Sequence, residues 1–273
     1  MIDFLGRIES ELQSAFQSNT LLSKTGAHLC LAPHAKRVRP LLVSYFAQAL
    51  DLPVSQIIPI ATASELIHSA SLLHDDVIDH ADCRRGRPTV NHQWNNSVAV
   101  LSGNYLLSLA FGKLLNFEPA ITQEAISVVT QMTEAAILEL QMRNSLDFNL
   151  EDWRRMSVGK TGSLFAFCGT AVALVTGDKR AQEAFRISGH HIGQVFQLAD
   201  DLHDIEEDTH NLEASYPRLM AMAGHPEPLV ACQTELKNQA ELAVGALGPW
   251  ALTEGGQQIS LWLNQLTCFD SSF

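Results

Sequence analysis

Positive charge is what this 273-residue chain has least of: 18 lysines and arginines stand against 30 aspartates and glutamates, a formal net charge of −12. A nucleic-acid partner needs a basic footprint to neutralise phosphates, so that class is excluded. No lysine lies between Lys179 and Lys237. Cysteine is sparse and unpatterned. The five present (Cys30, Cys83, Cys168, Cys232, Cys268) are odd in number and show no Cys-x-x-Cys spacing, so reduced core or surface thiols of a cytoplasmic protein are expected. Strand signals are nearly missing, with few alternating runs and no Asn-Gly dipeptide. The N-terminus carries acids where a signal peptide needs basic and then apolar residues. The longest uncharged stretches, 88–112 and 161–177, are interrupted throughout by Asn, Ser, Thr and Gly. They read as buried helices of a large protein, so no integral membrane segment is expected. Low-complexity tracts, short-period repeats and linkers are also missing, which leaves one domain over 1–273.

What is present is apolar and helical. With 46% of its residues apolar, the chain can bury a large core. Phe4, Ile8, Leu12 and Phe16 recur every four positions, which predicts an amphipathic helix over about 2–17. A polar stretch follows, then helices over about 41–50, 55–80, 97–115 and 123–144. Asn149 with Asp152 reads as a cap opening a helix that runs through Lys160-Thr161 to about Val175. Further helices are predicted over about 181–204, 216–222, 226–247 and 256–266. The fold class is therefore an all-α, single-domain helical bundle around a central cavity, where sites form from side chains on facing helices.

The stretch Leu66 to Asp79 begins apolar and ends in Asp75, Asp76 and Asp79. Residues four apart share a helix face, so three like charges meet within about one turn. They repel unless a cation sits among them, and hard Mg²⁺ held by carboxylates and a substrate's phosphates fits best. One such triplet alone more often marks a solvated helix end. The pattern recurs, however, in Phe196-Gln-Leu-Ala-Asp200-Asp201-Leu-His-Asp204. Two clusters on separate helices could clamp one diphosphate through shared metals.

The few basic residues are gathered. Lys36, Arg37 and Arg39 precede a helix with Pro40 at its expected first position, where the helix N-terminus also attracts anions. Arg84, Arg85 and Arg87 lie in a Gly- and Pro-containing loop just after the first acid cluster. Guanidinium forks bind phosphate bidentately. His68, two turns before Asp75, is on its own an ordinary core histidine.

Together these segments resemble the trans-polyprenyl diphosphate synthases, over roughly Lys36 to Asp204. Lys36-Arg-Val-Arg-Pro40, Asp75-Asp-Val-Ile-Asp79 with Arg84-Arg-Gly86, Gly103-Asn-Tyr-Leu-Leu107, Lys160-Thr161, and Phe196-Gln197 with Asp200 to Asp204 follow one another in the family's order. The resemblance implies that Asp75, Asp79 and Asp200 are the principal ligands of about three Mg²⁺ on an allylic diphosphate. Asp76, Asp201 and Asp204 would bind metal less directly or hold its waters. It implies that Arg84, Lys160 and Gln197 contact that same substrate and that Thr161 lies near the ionising carbon. Lys36, Arg39, His68 and Arg85 would hold the diphosphate of isopentenyl diphosphate. A homodimer is implied as well.

Two departures stand out. The family's lysine-containing, glycine-rich loop after the second cluster is here short and acidic (Ile205 to Pro217), with Glu213 about where a lysine is expected. Asn104 replaces a usual aspartate. An active elongating prenyltransferase is the first reading; a non-catalytic or regulatory subunit of a hetero-oligomeric synthase is the alternative, and a terpene cyclase is weaker because it would not use a second diphosphate site. Small residues at Ala70 and Ser71, with no insertion between Asp75 and Asp79, resemble the longer-chain members, so a product longer than fifteen carbons is expected.

Overall fold

The computed structural model of the chain describes residues 2–33, 35–143, 148–203 and 215–268. Among the described residues it is all-α apart from one short hairpin, and it divides into two compact units, residues 1–44 with 52–122 and residues 45–51 with 123–273.

The first unit is built on α4 (Val54–Ile78), which is buried for most of its length from Ile57 to Asp76. Helix α1 (Ile2–Ala15) lays Phe4, Ile8 and Leu12 inward and packs on α4. Helix α2 (Leu21–Cys30) occupies the expected polar stretch. Its Gly26 lowers local propensity, but the tertiary setting requires that glycine: a Cβ there would meet Phe16 Cε1 at 2.8 Å and Leu106 Cδ2 at 3.0 Å. The Thr20 hydroxyl caps α2 by accepting from Ser23 N. Helix α3 (Val38–Ala49) starts two residues before Pro40, so Arg39 lies inside its first turn. Proline is harmless there, since the first N–H groups of a helix have no intrahelical partner. Helix α5 (Val90–Gln93) is short, and α6 (Asn96–Leu114), capped by Asn95, packs along α4.

The loop after the first acid cluster is in fact a hairpin. Strands β1 (Cys83–Arg84) and β2 (Arg87–Pro88) pair antiparallel, Cys83 with Pro88 and Arg84 with Arg87. The two turn residues, Arg85 (φ +52°) and Gly86 (φ +71°), both lie in the left-handed region, as a two-residue hairpin turn matched to strand twist requires. An arginine at the first of those positions hides the signal in the sequence.

The second unit contains α7 (Pro119–Arg143) from Gln123 onward, α8 (Leu150–Ser157), a π-helical turn over Val158–Gly162, α9 (Ser163–Thr176) and α10 (Lys179–His203). It closes with α11 (Tyr216–Met222), α12 (Pro228–Ala246), a 3₁₀ turn over Gly248–Leu252 and α13 (Glu254–Thr267). The cap expected at Asn149 is a reciprocal capping box with Asp152. Helix α9 is buried from Ser163 to Ala173 and packs on α10.

Two helical stretches, Asn96–Leu114 and Leu150–Thr176, are long and apolar enough to cross a membrane by length and composition. The most apolar window of the second is 67% buried, as expected; that of the first is only 33% buried, because Val100 and Leu101 lie on an outward face. All five cysteines are free thiols.

Candidate functional site

In the first unit α4 ends on its carboxylates. Asp79 is the C-cap, its N–H donating to Asp75 O at 2.8 Å, and Asp75 lies in the last turn. A helix C-terminus carries partial negative charge, so acids there oppose the macrodipole as well as each other. Asp76 differs from its neighbours. It is 1% exposed, and its Oδ1 accepts from Arg84 Nε at 2.6 Å. Its Oδ2 is buried without a hydrogen-bond partner, and burial pushes its carboxyl above the usual range. The hairpin fixes Arg84 against Asp76.

Arg37 is also withdrawn from any substrate. It is 5% exposed, with Nε 2.6 Å from Glu9 Oε1, Nη1 2.6 Å from Glu65 Oε1 and Nη2 2.7 Å from Cys30 O. Its φ of +51° turns the chain between Lys36 and Val38. Burial alone would lower its guanidinium pKa, but Glu9 and Glu65 outweigh that and raise it above the ordinary range. Sequence spacing cannot separate Arg37 from its neighbours, because Glu9 and Glu65 each lie 28 residues away.

Around His68 the unit is strongly cationic. Burial, then Arg39, Arg85, Arg84 and Arg37, push the imidazole well below its usual range, so it is neutral at pH 7. Arg85 is itself lowered by burial and by Arg37 and Arg84, with Glu65 opposing. A partly enclosed set of arginines around a neutral histidine suits a polyanion. The structure thus brings Arg39, His68, Arg84 and Arg85 together; Lys36 is exposed just ahead of α3.

In the second unit the π-helical turn and the end of α10 come together through close glycine contacts. A Cβ on Gly193 would fall 2.2 Å from Gly162 Cα, so neither backbone could approach the other with a larger residue there. This register places Thr161 Oγ1 3.3 Å from Gln197 Oε1, to which it donates. Gln197 Nε2 donates to Asp201 Oδ1 at 3.0 Å, and Asp201 Oδ2 accepts from Trp153 Nε1 at 3.0 Å and Tyr216 N at 2.7 Å. Asp201 is therefore a buried anchor joining α8, α10 and α11, while Asp200 beside it is exposed. Lys160 Nζ donates to Glu139 Oε2. The one-residue excess of the π turn matters here, since such turns recur at functional sites. Asp204, Glu213 and the acidic segment between them lie outside the described residues.

Among the described residues no group of three or more His, Cys, Asp or Glu side chains is close enough to hold a metal by itself. The donor set nevertheless fits Mg²⁺, which prefers carboxylate oxygens and keeps positions for water and substrate phosphates. The unpartnered Asp76 Oδ2 and the acids at the negative end of α4 both favour a nearby cation. Ala70 has no exposed surface; Ser71, one turn before Asp75, is half-buried. Asn104 is exposed on α6. Glu9 and Glu65 in the first unit, and Glu139, Trp153 and Tyr216 in the second, hold candidate residues of their own unit without any local sequence signal.

The profile of the polyprenyl synthetase family matches residues 19–216. The chain is 31% identical over 234 residues to the all-trans-nonaprenyl-diphosphate synthase (geranyl-diphosphate specific) of Rhodobacter capsulatus, covering 82% of this chain and 71% of that one. It is 33% identical over 206 residues to heptaprenyl diphosphate synthase component 2 of Bacillus subtilis, 74% of this chain and 59% of the relative. Its fold superposes with a TM-score of 0.90 on the crystal structure of a polyprenyl synthase from Caulobacter crescentus complexed with calcium and isoprenyl diphosphate, at 23% identity and covering 97% and 94% of the two chains. With its basic segment, both aspartate-rich segments and the Lys160-Thr161 turn inside the matched region, the chain belongs to the polyprenyl synthetase family.

Proposed function

We propose that the chain is a trans-prenyltransferase that condenses isopentenyl diphosphate with an allylic diphosphate and releases an all-trans polyprenyl diphosphate longer than fifteen carbons. One observation carries the reading. A single compact unit holds both a carboxylate cluster at the end of α4 and a cationic cluster around neutral His68, one suited to a metal-bound diphosphate and the other to a metal-free one. The named relatives, nonaprenyl and heptaprenyl synthases, support the long product. The polyprenyl synthase of like fold from Caulobacter crescentus is complexed with calcium and isoprenyl diphosphate.

In this reading Asp75 and Asp79 of the first unit and Asp200 of the second would hold Mg²⁺, about three ions in all, with Asp204 assisting. Bound there, the metal would draw electron density from the diphosphate and make it a better leaving group. Arg84, fixed by Asp76, and Lys160 contact the diphosphate oxygens and stabilise the charge that develops as the C–O bond breaks. Thr161 and Gln197, joined by a hydrogen bond and anchored through Asp201, stand beside the ionising carbon. Lys36, Arg39, His68 and Arg85 hold isopentenyl diphosphate so that its double bond can attack the allylic cation. An apolar surround would be needed to exclude the water that quenches such a cation. A single 1–273 synthase domain, a homodimer and a cytoplasmic setting complete the proposal.

The test is turnover by the purified chain with Mg²⁺, isopentenyl diphosphate and allylic primers. Product should form with the chain alone, and Asp75→Ala or Asp200→Ala should lower turnover by about a hundredfold or more while helicity is kept. Near-normal rates in both variants would sink the two-cluster assignment. Product only after addition of a second protein would favour the subunit reading, which the similarity to a heptaprenyl synthase component keeps open.

A further inference from the structure

Glu139 on α7 offers its two carboxylate oxygens to two different cations. Lys160 Nζ donates to Oε2, and Arg143 Nη2 lies 3.5 Å from Oε1. All three side chains are largely enclosed, with 19% of Glu139 and 24% of each cation exposed. The cause is local and steric. A Cβ on Gly159 would sit 2.7 Å from Ala135 Cβ and 3.2 Å from Gln131 O, so the π-helical turn rests directly on α7. Ala135, Glu139 and Arg143 follow one another at four-residue spacing on one face of α7, which carries the contact at Gly159 to the carboxylate and then to the guanidinium.

Two cations are gathered on one carboxylate here. The chain also lacks lysine from 180 to 236, the region in which the resembled family places a basic loop. We propose that Arg143 is a second cation of the Lys160 diphosphate subsite, and that Glu139 is the positioning residue that keeps both cations gathered until a diphosphate replaces it. The proposal rests on the reading of Lys160 as an allylic-diphosphate contact. Non-bridging oxygens of the diphosphate would accept from Lys160 and from the planar fork of Arg143, whose geometry suits a phosphate. Glu139 then has opposed effects: it competes with the incoming anion, and it prevents the two like charges from moving apart.

These opposed effects make the test specific. Inorganic diphosphate with Mg²⁺ is titrated into the wild type, E139Q, R143Q and R143K by calorimetry, with steady-state kinetics on the same preparations. R143Q should raise the Kd of diphosphate and the KM of the allylic substrate about three- to tenfold and leave the KM of isopentenyl diphosphate unchanged. R143K should recover part of that loss. E139Q should lower the diphosphate Kd by a similar factor while kcat falls, because Lys160 is no longer oriented. A lower melting temperature in R143Q with unchanged Kd and KM would mean that Arg143 only supports the fold, and would overturn the proposal. So would weaker diphosphate binding in E139Q. Should E139Q fail to fold, the two Arg143 variants at the helix end decide the matter. If the wild type forms no prenyl product but binds diphosphate with this variant pattern, the subsite stands and the synthase reading falls. Equal behaviour of all variants in an active enzyme removes the subsite alone.

Discussion

Aspartates that look equivalent in the sequence have distinct surroundings in the structure. Asp76 is tied to Arg84, eight residues on, whereas Asp79 is exposed at the helix end. Asp201 is tied to Trp153, 48 residues back, and Asp200 faces solvent. The spacing marks where carboxylates gather, but their division of labour depends on partners remote in the chain. Arg37 against Lys36 and Arg39 repeats the lesson. Titration gives a further consequence at this scale. His190 on α10 is pushed down to about 4 by burial, then by Arg186 and His191, with Glu183 opposing, and its Nδ1 is buried without a partner. Its folded-state pKa is depressed, so the unfolded chain binds the proton more readily. The stabilisation is present above about pH 6.5 and is lost as pH falls towards 4. Urea midpoints should therefore drop between pH 7 and pH 5, and His190→Gln should flatten that slope. An unchanged slope in the variant would place the acid sensitivity elsewhere.

At the scale of elements, the long helices were legible because their apolar spacing is unambiguous. Helix α4 was expected over 55–80 and spans 54–78; the Asn149 cap opens α8 as expected. Helix α2 and the Cys83–Pro88 hairpin were missed, since Gly26 and Arg85 each contradict local propensity and only tertiary contacts explain them. The glycines divide accordingly. Gly193→Ala must push α10 off the backbone of Gly162 and should destabilise by about 3 kcal/mol. It should also break the Thr161–Gln197 bond and so lower activity further than stability alone explains. Gly112→Ala, in α6 with nothing within 4 Å, should stabilise by up to about 1 kcal/mol. Thermal denaturation of both variants checks the contrast in sign; two destabilised proteins would contradict the packing argument.

For the whole molecule, family and chemistry were legible because five short motifs kept their order across more than half the chain. Product length is written less plainly. Ala70 is sealed, so an aromatic residue there would overpack the core of its own unit. Ser71 is half-buried one turn before Asp75, with its hydroxyl turned back to His68 O at 2.8 Å. Ser71→Phe should shorten the product by at least one five-carbon unit while ionisation of the allylic substrate continues. Chromatography of the dephosphorylated products decides it, and an unaltered length distribution would show that the growing tail does not pass this face.

The π-helical turn at Val158–Gly162 has a consequence for how this protein tolerates insertion and deletion. A π turn holds about one residue more than an α turn, so the faces of α8 and α9 are out of phase by roughly 100°. Deleting one residue there would let the backbone heal into an uninterrupted α-helix from Leu150 to Thr176. Yet Trp153 would then rotate away from Asp201, and Gly159 from Ala135, so the smoother rod would no longer fit its own neighbours. Local regularity and the working register of this segment are mutually exclusive.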